Sequence, residues 1–186
     1  PSSKAMGVST GSFKPGPGSG VVSEDLTRVL GPGDNEMGWF SQQGRVPLGY
    51  LNDGEKTART FPTIEGTRWS IPGDRARYED DGGIEVLGRD SVTINSGGEK
   101  IFAEEVEHAL KLHPGVYDAV VCGRPSERWG QEVVAIVRLR EGETTSEADL
   151  LAECEKHLAR YKFPKEFLFR EEIVRSPSGK ADYRWA

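Results

Sequence analysis

The pattern of apolar and polar positions changes character about halfway along this 186-residue chain. Up to about residue 90 the apolar runs are short and are broken by Gly, Pro, Asn and Asp. Val21-Val22-Ser23 and Leu26-Thr27-Arg28-Val29-Leu30 read as short strand or helix pieces, and Gly31-Pro32-Gly33-Asp34-Asn35 is turn chemistry. Gly44 to Tyr50 reads as a strand ending in a turn, and Asn52 to Ala58 as an Asx cap on a short helix. Trp69 to Asp74 leads into the alternating Arg75-Ala76-Arg77-Tyr78. Asp80-Asp81-Gly82-Gly83 then predicts a hairpin turn into Ile84-Glu85-Val86-Leu87. This half predicts short β elements and no long helix.

After Arg89 the periods lengthen. Ser91 to Ser96 alternates as a strand, and Gly97-Gly98 breaks it. Ala103 to Leu112 has helical spacing, with Val106, Ala109 and Leu110 on one face. Glu104 and Glu105 fall in its first turn, where the helix dipole favours acids. With Glu107 they read as N-terminal charges and a solvated face. Pro114-Gly115 stops the helix. Val116 to Cys122 and Glu132 to Arg140 are apolar enough for buried strands. A second helix is predicted from about Glu147 to Arg160, with Leu150, Leu151, Cys154 and Leu158 inward. Pro164 breaks it ahead of an apolar strand, Glu166-Phe167-Leu168-Phe169. The order strand, helix, strand, strand, helix, strand predicts a compact α+β unit with helices on a small sheet. The boundary between the halves falls near residue 90, giving a β-rich subdomain over 1–89 and an α+β unit over 90–186.

Composition narrows the function classes. The net charge is −6, which disfavours a nucleic-acid partner or an anionic membrane surface. No apolar run approaches the roughly 20 residues needed to span a bilayer. Cys122 and Cys154 lie far apart without a CxxC partner, and read as small buried hydrophobes in a reducing, cytoplasmic compartment. His108, His113 and His157 lack ligand spacing, so no metal site is assigned.

Two segments carry candidate chemistry. Ser176-Pro177-Ser178-Gly179-Lys180 puts a lysine on a polar turn after a strand, from which its ammonium can swing into a neighbouring site as a point charge. Ser96-Gly97-Gly98-Glu99-Lys100 offers paired glycines that let a backbone approach a narrow ligand, with Glu99 and Lys100 read as caps of the following helix.

In series with Pro72-Gly73-Asp74 and Gly88-Arg89-Asp90, these motifs resemble the C-terminal part of an adenylate-forming enzyme, most closely an acyl-CoA synthetase of the fatty-acid ligase kind. The resemblance runs from about Gly31 to Lys180 and is densest over residues 88–125. It implies that residues 1–89 end a large adenylation domain and that 90–186 form its mobile lid. It also implies a larger preceding region with a Ser/Thr/Gly-rich phosphate loop. Gly11 to Gly20 has the composition of a linker instead, so the chain reads as a portion of a longer enzyme.

The same resemblance implies roles. Lys180 would place positive charge between a carboxylate and the ATP α-phosphate. Asp74 and Arg89 would hold the nucleotide ribose, with Pro72 in place of the family's threonine. Ser91 would be the hinge, where the family usually has Asp or Lys. Ser96, Gly97, Gly98 and Glu99 would line the tunnel for the pantetheine arm of CoA. Trp129, Tyr161 and Lys162 would grip the CoA nucleotide. Magnesium is expected from the family, but Lys4 stands where a metal-binding glutamate usually follows two hydroxyl residues, and no ligand is assigned. The implied activity is an ATP-dependent acid–thiol ligation of a carboxylic acid, of fatty or other lipophilic kind, to CoA. An acyl-AMP ligase that loads a carrier protein, or a non-catalytic lid used as an interaction module, are the alternatives.

Overall fold

The computed structural model describes residues 11–177 and 179–186. The chain divides into two compact units, one ending at Ser91 and the other beginning at Val92. Both mix strands with short helices. The segment around Lys4 lies outside the described residues.

The first unit contains β1 (Ser12–Phe13), β2 (Ser19–Val22), β3 (Val29–Leu30), β4 (Gly38–Gln42), helix α1 (Gly54–Thr60), β5 (Thr63–Ile64), β6 (Thr67–Arg68), β7 (Asp74–Tyr78) and β8 (Ile84–Arg89). Six of the strands form an antiparallel sheet ordered β1-β8-β7-β4-β2-β3, and β5 pairs with β6 alone. Successive strand residues point to opposite faces. Val21 accordingly packs with Leu30, Ala76 and Ile84, while Val22 packs with Ile64, Trp69 and Ile71. Helix α1 is capped as its sequence suggests: the Asp53 carboxylate accepts the Lys56 amide N–H at 2.9 Å.

The Gly44–Tyr50 segment forms no regular strand, contrary to the alternation of its side chains. Gly44 takes φ 101°, Pro47 lacks a ladder donor, and Leu48 is 92% exposed. The strand lies just before it, at β4. There Gly38 is required by space: a Cβ would sit 2.0 Å from the Val22 carbonyl oxygen on the paired strand.

The second unit contains β9 (Thr93–Ser96), β10 (Glu99–Phe102), helix α2 (Ala103–Lys111), β11 (Val116–Ser126), β12 (Gly130–Leu139), helix α3 (Glu147–His157) and β13 (Glu166–Phe169). Its sheet runs β10-β9-β12-β11, and β13 pairs in parallel with β12. Helices α2 and α3 bury Val106, Ala109, Leu110, Leu150 and Cys154 against Ala119, Val121, Val133, Ala135 and Val137 of the sheet. Full burial of a side chain the size of Leu110 stabilises the fold by about 1.5–3 kcal/mol. The apolar spacing of both helices therefore marks the core correctly. A Ser146 capping box starts α3, with its hydroxyl accepting the Asp149 N–H. The other sheet face buries Val120 and Ile136 under Ile173, with Ala181, Tyr183 and Ala186 packed alongside. The last residues of the chain thus cover the face that the helices leave open.

Three expectations need correction here. Glu99 and Lys100 do not cap α2; they lie in β10, and the residue preceding the helix, Phe102, makes no side-chain cap bond. The strand expected from Ser91 begins at Thr93, after a 3₁₀ turn at Asp90–Val92. Cys122 lies inside the eleven-residue β11 and is only half buried, whereas Cys154 is fully buried, its thiol pushed up to about 12 by desolvation. No helix among the described residues is long and apolar enough to cross a membrane.

Candidate functional site

In the first unit, β7 and β8 pair in a register that sets Asp74 opposite Arg89. Arg89 Nε lies 3.5 Å from Asp74 Oδ1, and the arginine side chain is about half exposed (52%). An exposed pair of this kind contributes only about 0–1 kcal/mol to stability. Side by side, the carboxylate can accept hydrogen bonds and the guanidinium can donate them. Gly73 supplies the bend before Asp74, at φ 98°, and its carbonyl accepts the Asp90 N–H at 3.1 Å.

The neighbouring Arg75 carries no signal in the sequence beyond its alternation. Its side chain is almost fully buried. It donates through Nε to Asp90 at 2.8 Å and through Nη2 to Glu24 at 2.5 Å, and its guanidinium lies 3.9 Å from the Trp39 ring centroid. The residue next to Ser91 is therefore gripped by a buried cation. Ser91 itself is exposed, in the 3₁₀ turn.

In the second unit, Ser96 and Glu99 pair across a two-residue hairpin whose Gly97 and Gly98 take φ 59° and 89°. Consecutive positive φ values are the reason for two glycines. The structure joins this hairpin to Trp129. Gly97 N–H donates to the Trp129 carbonyl at 2.8 Å, and Ser96 pairs with Gly130. A Cβ on Gly97 would meet Trp129 Cε3 at 2.9 Å, whereas one on Gly98 would meet open space. The close approach here is to the indole, which is 41% exposed and has the Arg128 guanidinium 4.6 Å above its ring.

Tyr161 and Lys162 lie on a separate 3₁₀ turn, Arg160–Lys162. Tyr161 is about half exposed. Lys162 Nζ contacts both Glu105 oxygens at 2.6 Å, in a pair that is largely buried. Its ammonium is committed to α2.

The acids of α2 are not a solvated face. Glu105 and Glu107 are both buried. Among the described residues strand β11 has only β12 as a ladder partner, which leaves backbone donors along its other side. Glu107 Oε1 meets one of them, accepting the Val121 N–H at 3.0 Å, and also accepts the Tyr183 hydroxyl at 3.1 Å. Burial raises the Glu107 pKa above its ordinary value, with the Val121 N–H, Lys111 and Tyr183 opposing.

Lys180 is exposed, on a turn closed by Ser176 N–H to the Lys180 carbonyl (2.8 Å) and Gly179 N–H to the Ser176 carbonyl (2.8 Å). Arg175 and Ala181 bridge its two ends. Arg175 forks onto Asp118 at 2.7 and 2.5 Å. Burial raises the Asp118 pKa, but the Arg175 hydrogen bond and charge, with the Ala119 N–H, bring it below its ordinary value. Arg75, Arg175, Asp118 and Tyr183 were missed by sequence reasoning, since none carries a local motif.

Two of the three histidines have local partners. His113 Nδ1 accepts the Gly115 N–H at 3.1 Å, and His157 contacts Glu153 at 3.0 Å. Among the described residues no group of three or more His, Cys, Asp or Glu side chains could hold a metal ion. No magnesium ligand is assigned among them, and no step below runs through a metal ion.

Residues 105–180 match the model of the AMP-binding enzyme C-terminal domain. The chain is 61% identical over 179 residues to the medium-chain acyl-CoA ligase Mig of Mycobacterium avium, covering 96% of this chain and 32% of that protein. It is 49% identical over 168 residues to the 3-oxocholest-4-en-26-oate–CoA ligase of Rhodococcus rhodochrous, covering 90% of this chain and 30% of that one. Among solved structures it resembles the o-succinylbenzoate CoA synthetase of Bacillus subtilis, in complex with its acyl-adenylate intermediate. That match has 30% identity and a TM-score of 0.76, and covers 88% of this chain and 32% of the other. The chain thus spans about a third of the length of the relatives it matches.

Proposed function

Because the chain belongs to the adenylate-forming acyl-CoA ligases, matching their C-terminal portion, we propose that it forms part of an ATP-dependent acid–thiol ligase. In the first half-reaction a carboxylate oxygen attacks the α-phosphorus of ATP and pyrophosphate leaves. In the second, the CoA sulfur attacks the acyl carbon and AMP leaves. The substrates are ATP, CoA and a carboxylic acid of fatty or other lipophilic kind. The relatives' acids range from medium-chain acyl to a steroid carboxylate. The acyl pocket belongs to the larger region that precedes this portion in such enzymes. The free thiols Cys122 and Cys154 suit a reducing, cytoplasmic setting.

The observation that carries this reading is the Lys180 turn, an exposed ammonium on a closed turn packed against the sheet of the second unit. Lys180 supplies positive charge where a carboxylate and a phosphate, both anionic, must meet. Asp74 and Arg89 hold the ribose hydroxyls. The Ser96–Glu99 hairpin with Trp129 serves the second half-reaction, its backbone and exposed indole forming one wall of the pantetheine path. Tyr161 adds a ring for the CoA base. Lys162 serves it indirectly, through Glu105, by fixing the turn that carries Tyr161. Residues up to 89 close the adenylation domain, 90–186 form the lid, and Ser91 is the pivot between the two half-reactions.

Lys180→Ala in a full-length ligase carrying this sequence tests the reading. Acid-dependent pyrophosphate release should fall about 10²–10³-fold, the scale of one lost transition-state charge contact. Thioester formation from a supplied acyl-adenylate should continue. An equal loss in both half-reactions would remove Lys180 from the chemistry.

A further inference from the structure

Lys180 can meet a reacting carboxylate only if its ammonium is delivered to one place, yet its turn lies at the surface. That turn is braced at both ends. On the upstream side Arg175 donates Nε and Nη2 to the two Asp118 oxygens at 2.7 and 2.5 Å, and Nη1 to the Gly179 carbonyl at 3.0 Å. One guanidinium thus ties the peptide immediately before Lys180 to strand β11. On the downstream side the Tyr183 hydroxyl donates to Glu107 on α2 at 3.1 Å.

Each acceptor is itself held. Asp118 also takes the Ala119 N–H at 2.9 Å, and Glu107 takes the Val121 N–H at 3.0 Å. Neither carboxylate can swing without giving up a backbone donor. Ile173 and Ala181 already bind the segment to the sheet by apolar contact. The polar braces add what apolar contact cannot, a fixed direction for the turn. The planar fork of arginine suits this use, because it grips a carboxylate and a carbonyl at once.

We propose that Arg175 and Tyr183, acting through Asp118 and Glu107, are positioning residues that set where the Lys180 ammonium stands during attack on the α-phosphate. The inference rests on the adenylation role of Lys180 proposed above.

The test uses a full-length ligase carrying this sequence, with Arg175→Lys, Asp118→Asn and Tyr183→Phe beside Lys180→Ala. Arg175→Lys keeps the charge and loses the fork. Each of the three should lower kcat for acid-dependent pyrophosphate release by about tenfold or more, within the loss expected from a small misplacement. KM for ATP and thioester formation from supplied acyl-adenylate should hold. A double variant, Arg175→Lys with Asp118→Asn, should be no worse than the poorer of those two singles, as for partners in one contact. A lysine-specific protease should cut after Lys180 faster in Asp118→Asn and Tyr183→Phe than in the parent. If Lys180→Ala abolishes adenylation while the three variants keep the parent's kcat, the positioning inference fails and the reading of Lys180 stands. If Lys180→Ala leaves pyrophosphate release intact, that reading falls and the inference with it. If the three variants lower both half-reactions together with Tm, the braces are structural and the inference is overturned.

Discussion

Substituting Glu107 separates what its oxygen does from what its charge does. The side chain is 5% exposed, and its Oε1 accepts two hydrogen bonds, from the Val121 N–H and the Tyr183 hydroxyl. Burial raises its pKa above the ordinary 4.5, and the Val121 N–H, Lys111 and Tyr183 do not fully offset that. The folded chain therefore holds this proton more tightly than the unfolded chain. The corresponding stability is fully present below pH 4.5 and is lost as pH rises through the raised folded value. Each unit of such a shift corresponds to about 1.4 kcal/mol. Glu107→Gln keeps an acceptor oxygen and removes the charge, so at pH 8 it should be neutral or stabilising by up to about 1 kcal/mol. Its stability should also fall less between pH 5 and pH 8 than the parent's. Glu107→Leu leaves a buried amide N–H and a hydroxyl without their acceptor. At about 1–3 kcal/mol for each unsatisfied group, a loss of roughly 2–6 kcal/mol is expected. Urea unfolding of the chain at pH 5 and pH 8, with hydrogen exchange at the Val121 amide, separates the variants. A Glu107→Gln chain that loses as much as Glu107→Leu at pH 8 would refute the reasoning, because the charge would then be the useful part.

Gly97→Ala should destabilise the chain by about 1–3 kcal/mol, from a left-handed φ of 59° and a Cβ 2.9 Å from Trp129. Tryptophan emission should shift as the indole is displaced, and a loss below about 0.5 kcal/mol, the scale of an ordinary surface change, would argue against that contact. Lys162→Met should cost about 3–5 kcal/mol by leaving Glu105 buried without its cation, and Glu105→Leu in the same chain should recover most of it. Equal melting temperatures for the single and double variants would show that the pair does not carry the effect. Ser91→Pro fixes φ at the proposed pivot and should block one half-reaction while sparing the other. Parent-like rates in both would place the pivot elsewhere.

The helices were the most legible elements, because Val106, Ala109, Leu110, Leu150 and Cys154 repeat at a spacing that only a helix places on one face. Strand β10 was not legible. Glu99 and Lys100 are charged residues just before a helix, and only the Gly97-Gly98 turn folds them back along β9. Strand β4 was hidden because Gly38 and Ser41 interrupt its apolar pattern, for reasons of space that lie on β2: the Val22 carbonyl faces Gly38, and Ser41 donates to the Gly20 carbonyl. Asp74, Arg89 and Gly97 stand in motifs that the sequence displays, but nothing in it sets Gly97 against Trp129. The braces around Lys180 stand in no such motif. Arg175 and Asp118 are 57 positions apart, and Tyr183 and Glu107 are 76 apart. Nothing local announces a contact made by a sheet edge and a returning tail. Glu105 and Glu107 look like ordinary first-turn acids until the strand and the 3₁₀ turn that need them are in place.

Those two acids have a mechanical consequence. They stand two residues apart on α2, about 200° around its axis. Glu105 holds the turn of Tyr161 and Lys162, and Glu107 holds the tail that carries Lys180. The edges that carry Tyr161 and Lys180 are therefore pinned to one short axle. A rotation or slide of α2 moves both together, and neither edge can be retuned in isolation. A substitution in the apolar stripe of α2, far from any substrate, should register in both half-reactions at once, whereas one in either turn should register in only one.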